Sequence, residues 1–597
     1  MCGFVAIINS SDQSRSRDLI PKMNDLINHR GPDDEGYFFD DKIGLGFKRL
    51  SIHDLSKSGH QPMHSNDKKY TIVFNGEVYN FIELRENLVK KGYQFSSGTD
   101  TEVVLNCFIE YGQDCVLKFL GMFAFIIYEH ETKKVFVARD HLGIKPLYYL
   151  NKDGEMFFAS EIKAFSPIVN FSLNNDSLAE QMYFRYVSGI NTPFKDIFKV
   201  PAGSFYYGHI SEDIDFIKYY RIDDSLNGKC KLLNHNEIKG KLSESINIHT
   251  RSDVGFNVQL SGGVDSSYIT AILGKTEKLS TYSIAFKNQK FDESDCQKWV
   301  ADTYKTDHHE VQMGSEEFAD ELENATYHMD VPIVHLGCVF LKRLCRESRK
   351  SSKVILTGEG ADELFAGYSR HNLSSKEKLA YSFKKYGTPS WMLPPIGPLN
   401  TLKSMVNTST IFNQLNFSKS ELDNIFIDLK MNFNEREKVV SRHKDPYNSI
   451  LAHDQTAYLE SLLDRQDKMS MGESVESRVP FCNPKLFDLV NPISFDEKVK
   501  NGVTKSILKK IGEQVLNDDI LYKRKMGLTI PVDDWFRDGP LNEMSSMLTD
   551  TTFKSRGFYN HKKISEIIDC HMSHKGNYGK YLAHLLMFEI WHRKFIG

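Results

Sequence analysis

The sequence has no long hydrophobic run. Its longest apolar stretch, Met122 to Tyr128, is far too short to cross a bilayer. No basic segment followed by a long apolar one opens the chain, so no signal peptide is read. Nine cysteines are scattered without a CxxC pair, which argues against a disulfide framework and a structural zinc, and for reduced thiols in a cytoplasmic protein. Cys107, Cys115, Cys338 and Cys345 lie in apolar or helical context and are expected in the core. An excess of one charge is missing too. Net charge is −4 with both signs spread along the chain, so neither a nucleic-acid surface nor a polybasic membrane anchor is expected. What is present is an ordinary globular composition over 597 residues, enough for two domains or three.

The most informative stretch is Leu260-Ser261-Gly262-Gly263-Val264-Asp265-Ser266-Ser267. A strand-like alternation, Val254 to Leu260, leads in, and a predicted helix, Tyr268 to Leu273, leads out. Exposed N–H groups and the helix dipole make such a turn a phosphate cradle, and Ser261, Ser266 and Ser267 add hydroxyl donors. The lysine and spacing of the Walker loop are absent. Asp265 stands there instead, and an acid beside a phosphate implies a bridging cation, most plausibly Mg²⁺. A plain serine-glycine turn with an N-cap is the bland alternative.

At the other end, Cys2 directly precedes a predicted strand over residues 3 to 8. Its small neighbours favour removal of Met1, which leaves a thiol and an α-amine on one residue. An amine of pKa near 8 is a base for its own nucleophile. Arg49 follows a predicted strand, Ile43 to Phe47, and Asn75-Gly76-Glu77 ends another, Tyr70 to Phe74. Ser97-Gly98-Thr99-Asp100-Thr101-Glu102 opens a helix with Thr99 or Asp100 as cap. The Asn75 side chain and Gly76 N–H suit an oxyanion hole. Arg49 suits a carboxylate, and Asp100 with help from Glu77 suits an ammonium. Equally, Asn75-Gly76 reads as a hairpin turn, Asp100 as a cap only, and Arg49 as a surface charge. Strands Phe119–Tyr128, Lys134–Ala138 and Pro146–Leu150 read as a second sheet.

The combination of MCGF, HRGPDD, RLSI, FNGEVYN, SGTDTE and ARDHLGIKPLYY resembles a class II, N-terminal-nucleophile glutamine amidotransferase domain over residues 2–210. The resemblance implies a four-layered αββα sandwich that hydrolyses glutamine. It implies Cys2 as nucleophile, Asn75 and Gly76 as oxyanion hole, and Arg49, Glu77 and Asp100 as the glutamine holders.

After a polar crossing, Glu237 to Thr250 is amphipathic and starts a second domain, taken as 236–597. Leu279 to Phe286 and Val354 to Leu356 read as buried strands of a doubly wound parallel sheet. The latter runs into Thr357-Gly358-Glu359-Gly360-Ala361-Asp362-Glu363. Asp362 is assigned to the same Mg²⁺ as Asp265, and Glu359 to proton handling. An acid-rich helix start is the alternative. Residues 371–447 read as helices and loops without chemistry. A helix from about Leu451 carries Arg465 and Lys468 and continues towards Glu476-Ser477-Arg478. Its charges, like the basic run Lys523-Arg524-Lys525, also fit a plain surface.

QLSGGVDSS, TYSIAF, LTGEGADELFAGY, LDRQDKMSM, ESRVPF and KRKMGL stand in the order seen in the glutamine-dependent asparagine synthetase family, so the resemblance covers almost the whole chain. It implies an α/β and α+β chain, its second domain an adenine-nucleotide α-hydrolase-like synthetase fold. ATP adenylates a carboxylate, and ammonia made at Cys2 travels inside the protein to displace AMP. Leu260, Ile284, Thr357 and Gly358 then border the nucleotide. Ser261, Gly262, Gly263, Asp265, Ser266 and Ser267 form the pyrophosphate loop. Lys525, Arg465 and Lys468 neutralise phosphate charge, and Glu359 takes a proton from the attacking ammonia. Aspartate is the family's usual acceptor. A sugar uronate, or a silent regulatory homologue, is the competing expectation. A dimer is the default for such an enzyme.

Overall fold

The computed structural model describes residues 2–10, 12–285, 293–333, 335–373, 419–427, 433–523 and 530–597. The N-terminal half holds twelve strands among these residues, and their pairing is antiparallel. They are β1 (Gly3–Ile8), β2 (Asp34–Asp40), β3 (Ile43–Arg49), β4 (Met63–His64), β5 (Tyr70–Val78), β6 (Gly121–Glu129), β7 (Lys134–Arg139), β8 (Tyr148–Lys152), β9 (Glu155–Ala159), β10 (Ile197–Lys199), β11 (Ser204–His209) and β12 (Ile217–Lys218). They form two six-stranded sheets, β10-β8-β9-β1-β3-β2 and β12-β11-β7-β6-β5-β4.

Side-chain alternation makes these sheets into layers. On β1, Phe4, Ala6 and Ile8 join Val73 of β5 and Ile126 of β6 in the core between the sheets. The alternate residues Val5 and Ile7 meet Ile20 and Met23 of helix Gln13–Asp25. On β5, Ile72 and Phe74 turn the other way, onto Val103, Val104 and Phe108 of helix Asp100–Tyr111. The result is helix, sheet, sheet, helix, the αββα arrangement. β12 pairs onto β11, so this layer runs on past residue 210.

Two strand expectations need correction. β5 does not stop at Phe74. It continues through Asn75 and Gly76, which pair with Ala124 and Phe123 of β6, so the hairpin reading of Asn75-Gly76 fails. The strand near Pro146–Leu150 is not in the sheet of its predecessors. β8 pairs with β9 and β10, so Arg139 to Leu147 crosses from one sheet to the other.

The second half is built on five parallel strands: β13 (Asn257–Gln259), β14 (Ser280–Ile284), β15 (Asp307–Val311), β16 (Val354–Leu356) and β17 (Glu476–Arg478). Their order is β15-β14-β13-β16-β17. Val258 and Leu356 face helices His235–Ile248 and Val264–Leu273, and Ile355 and Tyr282 face helix Gly337–Ser348 on the other side. Chain order reverses between β13 and β16, the switch point where such sheets open a crevice beyond their carboxyl ends. Both acid-bearing motifs leave the sheet there. β17 is a further correction: after helix Leu459–Met471 the chain turns and Glu476–Arg478 add an edge strand to the sheet. The halves share a core in which Phe194 packs edge-on against Trp591 at 5.1 Å. Cys107, Cys115, Cys338 and Cys345 are all buried. Among the described residues, no helix is long and apolar enough to cross a membrane.

Candidate active sites

The first site forms where β1, β3 and β5 end together. The Cys2 N–H donates to Asn75 Oδ1 at 3.2 Å, and the thiol points at the Leu50 carbonyl, 4.0 Å away. Burial pushes the thiol up, so it needs a base to become a nucleophile. Asn75 is fully buried and its Nδ2 has no partner among the described residues. An orphaned buried donor is costly, and a substrate oxygen is what would satisfy it. Arg49 is no surface charge: it is 6% exposed, and donates to the Ser56 carbonyl at 2.8 Å and to the Asp54 carbonyl.

Opposite lie the acids. Thr99 caps its helix by accepting from Glu102 N–H, so Asp100 is free of that duty and accepts instead from Val78 N–H at 2.9 Å. Burial, then the nearby Glu77 charge, push Asp100 up to about 7. Glu77 is clamped between His53 at 2.9 Å and Arg478 at 3.2 Å. Burial disfavours charge on His53, but Glu77 outweighs it and His53 is pushed up to about 9. The sequence reading missed Arg30, although HRGPDD contained it. Arg30 is fully buried, donates to the Cys2 carbonyl at 3.1 Å, and pairs with Glu161 and Asp467, each at 2.8 Å.

The second site is a cleft of about 1070 Å³ at the switch point. The loop after β13 turns at Gly262, whose φ of +84° is left-handed and suits glycine. Ser266 braces this loop: its Oγ accepts from Ser261 N–H at 3.0 Å and lies 3.0 Å from Ser261 Oγ. Gly263 caps helix Val264–Leu273, so the dipole points into the cleft. A Cβ on Gly358 would lie 2.8 Å from Asp265 Cβ, so glycine there lets the two motif loops close on each other. Leu260, Ser261, Gly262, Gly263, Asp265, Ser266, Ile284, Thr357, Gly358, Glu359, Asp362 and Arg465 all line the cleft, while Ser267 is buried beneath.

Between the two aspartates stands a residue not predicted to act. Lys505 Nζ donates to both oxygens of Asp265, at 2.7 and 2.6 Å, and lies 2.8 Å from Asp362 Oδ1. Only its place at the head of helix Ser506–Gly512 hinted at it. Glu359 pairs with Arg465 at the cleft wall. Burial, then Asp362, push Glu363 up to about 8, and it accepts from the Tyr368 hydroxyl.

The expectation for Lys468 is overturned. Its ammonium is fully buried away from the cleft, donates to the Met329 carbonyl at 3.0 Å and faces Asp464 and Asp330 at 3.4 and 3.6 Å. Three residues turn a helix by about 300°, which leaves Arg465 and Lys468 about 60° apart and facing different spaces. Lys525 lies outside the described residues.

A cavity of about 70 Å³ lies where the two halves of the chain meet. Arg139 and Tyr148 line it from the N-terminal half, and Cys338, Asp464 and Arg465 from the other.

Comparison with known proteins agrees with this two-site layout. The family model for asparagine synthase matches residues 237–593, and that for a glutamine amidotransferase domain matches 1–220. A Bacillus subtilis relative named glutamine-hydrolyzing asparagine synthetase 1 is 33% identical, covering 99% of this chain and 96% of its own. A second from that organism, named glutamine-hydrolyzing asparagine synthetase 3, is 30% identical, covering 88% and 86%. An amidase named chyE, from Penicillium rubens, is 27% identical, covering 95% and 94%. With a thiol pocket between one pair of sheets and a crevice at the switch point of the parallel sheet, the chain belongs to the asparagine synthase family.

Proposed function

We propose that the chain is a glutamine-dependent, ATP-driven ligase that amidates the side-chain carboxylate of aspartate. The observation that carries this reading is the closure of the Ser261–Ser267 and Thr357–Asp362 loops on one crevice, in the same chain as the Cys2 pocket.

In the first pocket, Arg49 takes the glutamine carboxylate and Asp100 its ammonium. Glu77 is already paired twice and positions that wall. The α-amine, freed by removal of Met1, takes the Cys2 thiol proton as sulfur attacks the amide carbon. Asn75 Nδ2 and the Gly76 N–H meet the oxyanion, ammonia leaves, and water releases glutamate from the thioester.

In the cleft, the acceptor carboxylate attacks the α-phosphorus of ATP and the bond to the β-phosphate oxygen breaks. The Ser261–Ser267 loop and Lys505 receive the departing pyrophosphate. Asp265 and Asp362 converge closely enough to share one ammonium, so they would hold an Mg²⁺. When bound, that ion would neutralise pyrophosphate charge. Ammonia then attacks the acyl carbon, AMP leaves, and Glu359 takes the proton that the new C–N bond releases. The junction cavity between Tyr148 and Arg465 supports an internal ammonia route.

The test is ATP–pyrophosphate exchange together with amide formation across a panel of carboxylates. Exchange dependent on aspartate, with asparagine formed from glutamine, is expected. Exchange with a uronic acid derivative and none with aspartate overturns the acceptor assignment.

A further inference from the structure

Three elements that are distant in sequence meet at the cleft wall. Asp265 stands in the first turn of helix Val264–Leu273, Asp362 in that of helix Ala361–Phe365, and Lys505 immediately before helix Ser506–Gly512. The Lys505 ammonium lies 2.7 and 2.6 Å from the two oxygens of Asp265 and 2.8 Å from Asp362 Oδ1. Carboxylate oxygens from two loops thus converge on one positive centre. Lys505 is 4% exposed, and its backbone is left-handed at φ +53°, an uncommon conformation for a residue with a side chain. Gly367 makes the room. A Cβ there would come within 2.1 Å of Asp362 Oδ1 and within 2.1 Å of Lys505 Cε. The pairing is therefore packed in place and is not a chance contact of a surface side chain.

Oxygens gathered in this way are what a hard divalent cation takes, and the same two aspartates would hold Mg²⁺. The ammonium sits where a cation bridging them would lie. Two positive centres cannot share that position, because in a partly buried site they repel strongly and compete for the same oxygens. Without any cation, the two carboxylates would repel each other across the loops. Lys505 cancels one of their two negative charges and so keeps the loops closed. Its displacement by a free ion would leave a buried ammonium with no new partner, since the neighbouring acid Glu359 is taken by Arg465. Its displacement by an ion carried on a triphosphate is different: phosphate oxygens then accept from it. A compact charge on a flexible four-carbon stem suits such a move.

We propose that Lys505 is a built-in stand-in cation. It holds Asp265 and Asp362 together in the metal-free cleft, excludes free divalent ions, and yields its position only to an ion that arrives with a nucleotide, whose phosphates then take the ammonium. The proposal rests on the ATP-driven ligase reading and adds an order of binding to it. Metal and nucleotide are then coupled through one side chain, and by linkage each raises the affinity for the other by the same factor. Lys505 is a positioning residue in the empty cleft and a phosphate ligand in the filled one.

The experiment uses the full-length enzyme without an acceptor, so that nothing turns over, and follows bound Mn²⁺ by electron paramagnetic resonance, Mn²⁺ favouring the same oxygen ligands as Mg²⁺. Wild type, Lys505→Met and Lys509→Met are titrated with MnCl₂ alone and then with α,β-methylene-ATP. Lys509 lies one turn further along the helix and also lines the cleft, so its variant removes the same charge without vacating the position. Lys505→Met should bind Mn²⁺ alone about 10- to 100-fold more tightly than wild type, the cost of breaking one charge-assisted pair being removed, while Lys509→Met stays near wild type. With Mn²⁺ saturating, Lys505→Met should bind the nucleotide analogue about tenfold more weakly. Should Lys505→Met fail to accumulate as folded protein, Lys505→Gln, which keeps a donor to one carboxylate, carries the same comparison with a smaller gain. Equal affinity for Mn²⁺ alone in wild type and Lys505 variants, or an equal gain in Lys509→Met, overturns the stand-in role. A gain for Mn²⁺ with no loss for the nucleotide overturns the hand-over to phosphate. Wild type that does not bind the analogue with Mn²⁺ overturns the ligase reading of the cleft and the proposal with it.

Discussion

The glutamine pocket and the nucleotide cleft solve opposite problems. The pocket is closed, and its charged groups are buried and paired by neighbours from both halves of the chain: Arg30 with Glu161 and Asp467, Glu77 with His53 and Arg478. The cleft is open, and its groups ride on two loops and a helix start. A small reaction on a small amide needs a preset, dry constellation, because electrostatic donors act most strongly where water is excluded. A triphosphate must enter and pyrophosphate must leave, so the cleft stays open while Lys505 is held between Asp265 and Asp362. The lesson is that the amidotransferase pocket is not self-sufficient. Asp467 and Arg478 belong to the synthetase half, yet they hold Arg30, which touches Cys2, and Glu77, which neighbours Asp100.

The sharpest way to separate the regions is Cys2→Ala. Glutamine-dependent amide formation should fall at least about 10³-fold, as expected for a nucleophile, while ammonia-dependent formation stays at the wild-type rate. Product assays with each nitrogen donor check this, and loss of both would contradict two sites. The converse is Asp265→Asn. Aspartate-dependent pyrophosphate release should drop about 10²- to 10³-fold with glutamine hydrolysis in the absence of ATP intact. A loss of hydrolysis would mean that the cleft controls the pocket directly.

Arg30→Met addresses their mechanical union. It leaves Glu161 and Asp467 buried without their shared guanidinium, a cost of about 3–5 kcal/mol. Chemical denaturation should show it, and an unchanged transition would mean that the junction carries no stability. The smallest effect concerns pH. Asp100 has its carboxyl pushed up to about 7, so it is mostly protonated at pH 6 and mostly ionised at pH 8. Affinity for the ammonium of an unreactive glutamine analogue should therefore rise about tenfold between those values. A flat profile in calorimetric titration would remove Asp100 as the ammonium's partner.

Local chemistry was legible in the sequence where a backbone conformation or a terminus demanded it. Cys2 ahead of a strand, the left-handed Gly262 in the serine loop, and the acids after Leu356 all lie where their motifs suggested. The apolar residues 3 to 8 announced a buried strand, and the packing shows that both of its faces are covered. Pairing was less legible. An apolar run at Tyr70–Phe74 does not reveal that β6 holds Asn75 and Gly76 in the ladder, nor does Tyr148–Lys152 name the sheet it joins, because partners lie far away in sequence. The short β17 lacked the length that marks a strand.

By itself, then, the sequence singled out Cys2, the Ser261–Ser267 loop, the acids Asp100, Asp265, Glu359 and Asp362, and the family, since these are short motifs whose geometry is local. Tertiary structure decided which cations serve them. Lys505 and Lys468 are both lysines near helices, and only packing put one against Asp265 and Asp362 and sealed the other behind Asp330 and Asp464. It likewise carried Arg30 to the Cys2 carbonyl. The physical reason is that a long charged side chain takes its role from the field around its tip, and that field is assembled from residues hundreds of positions apart.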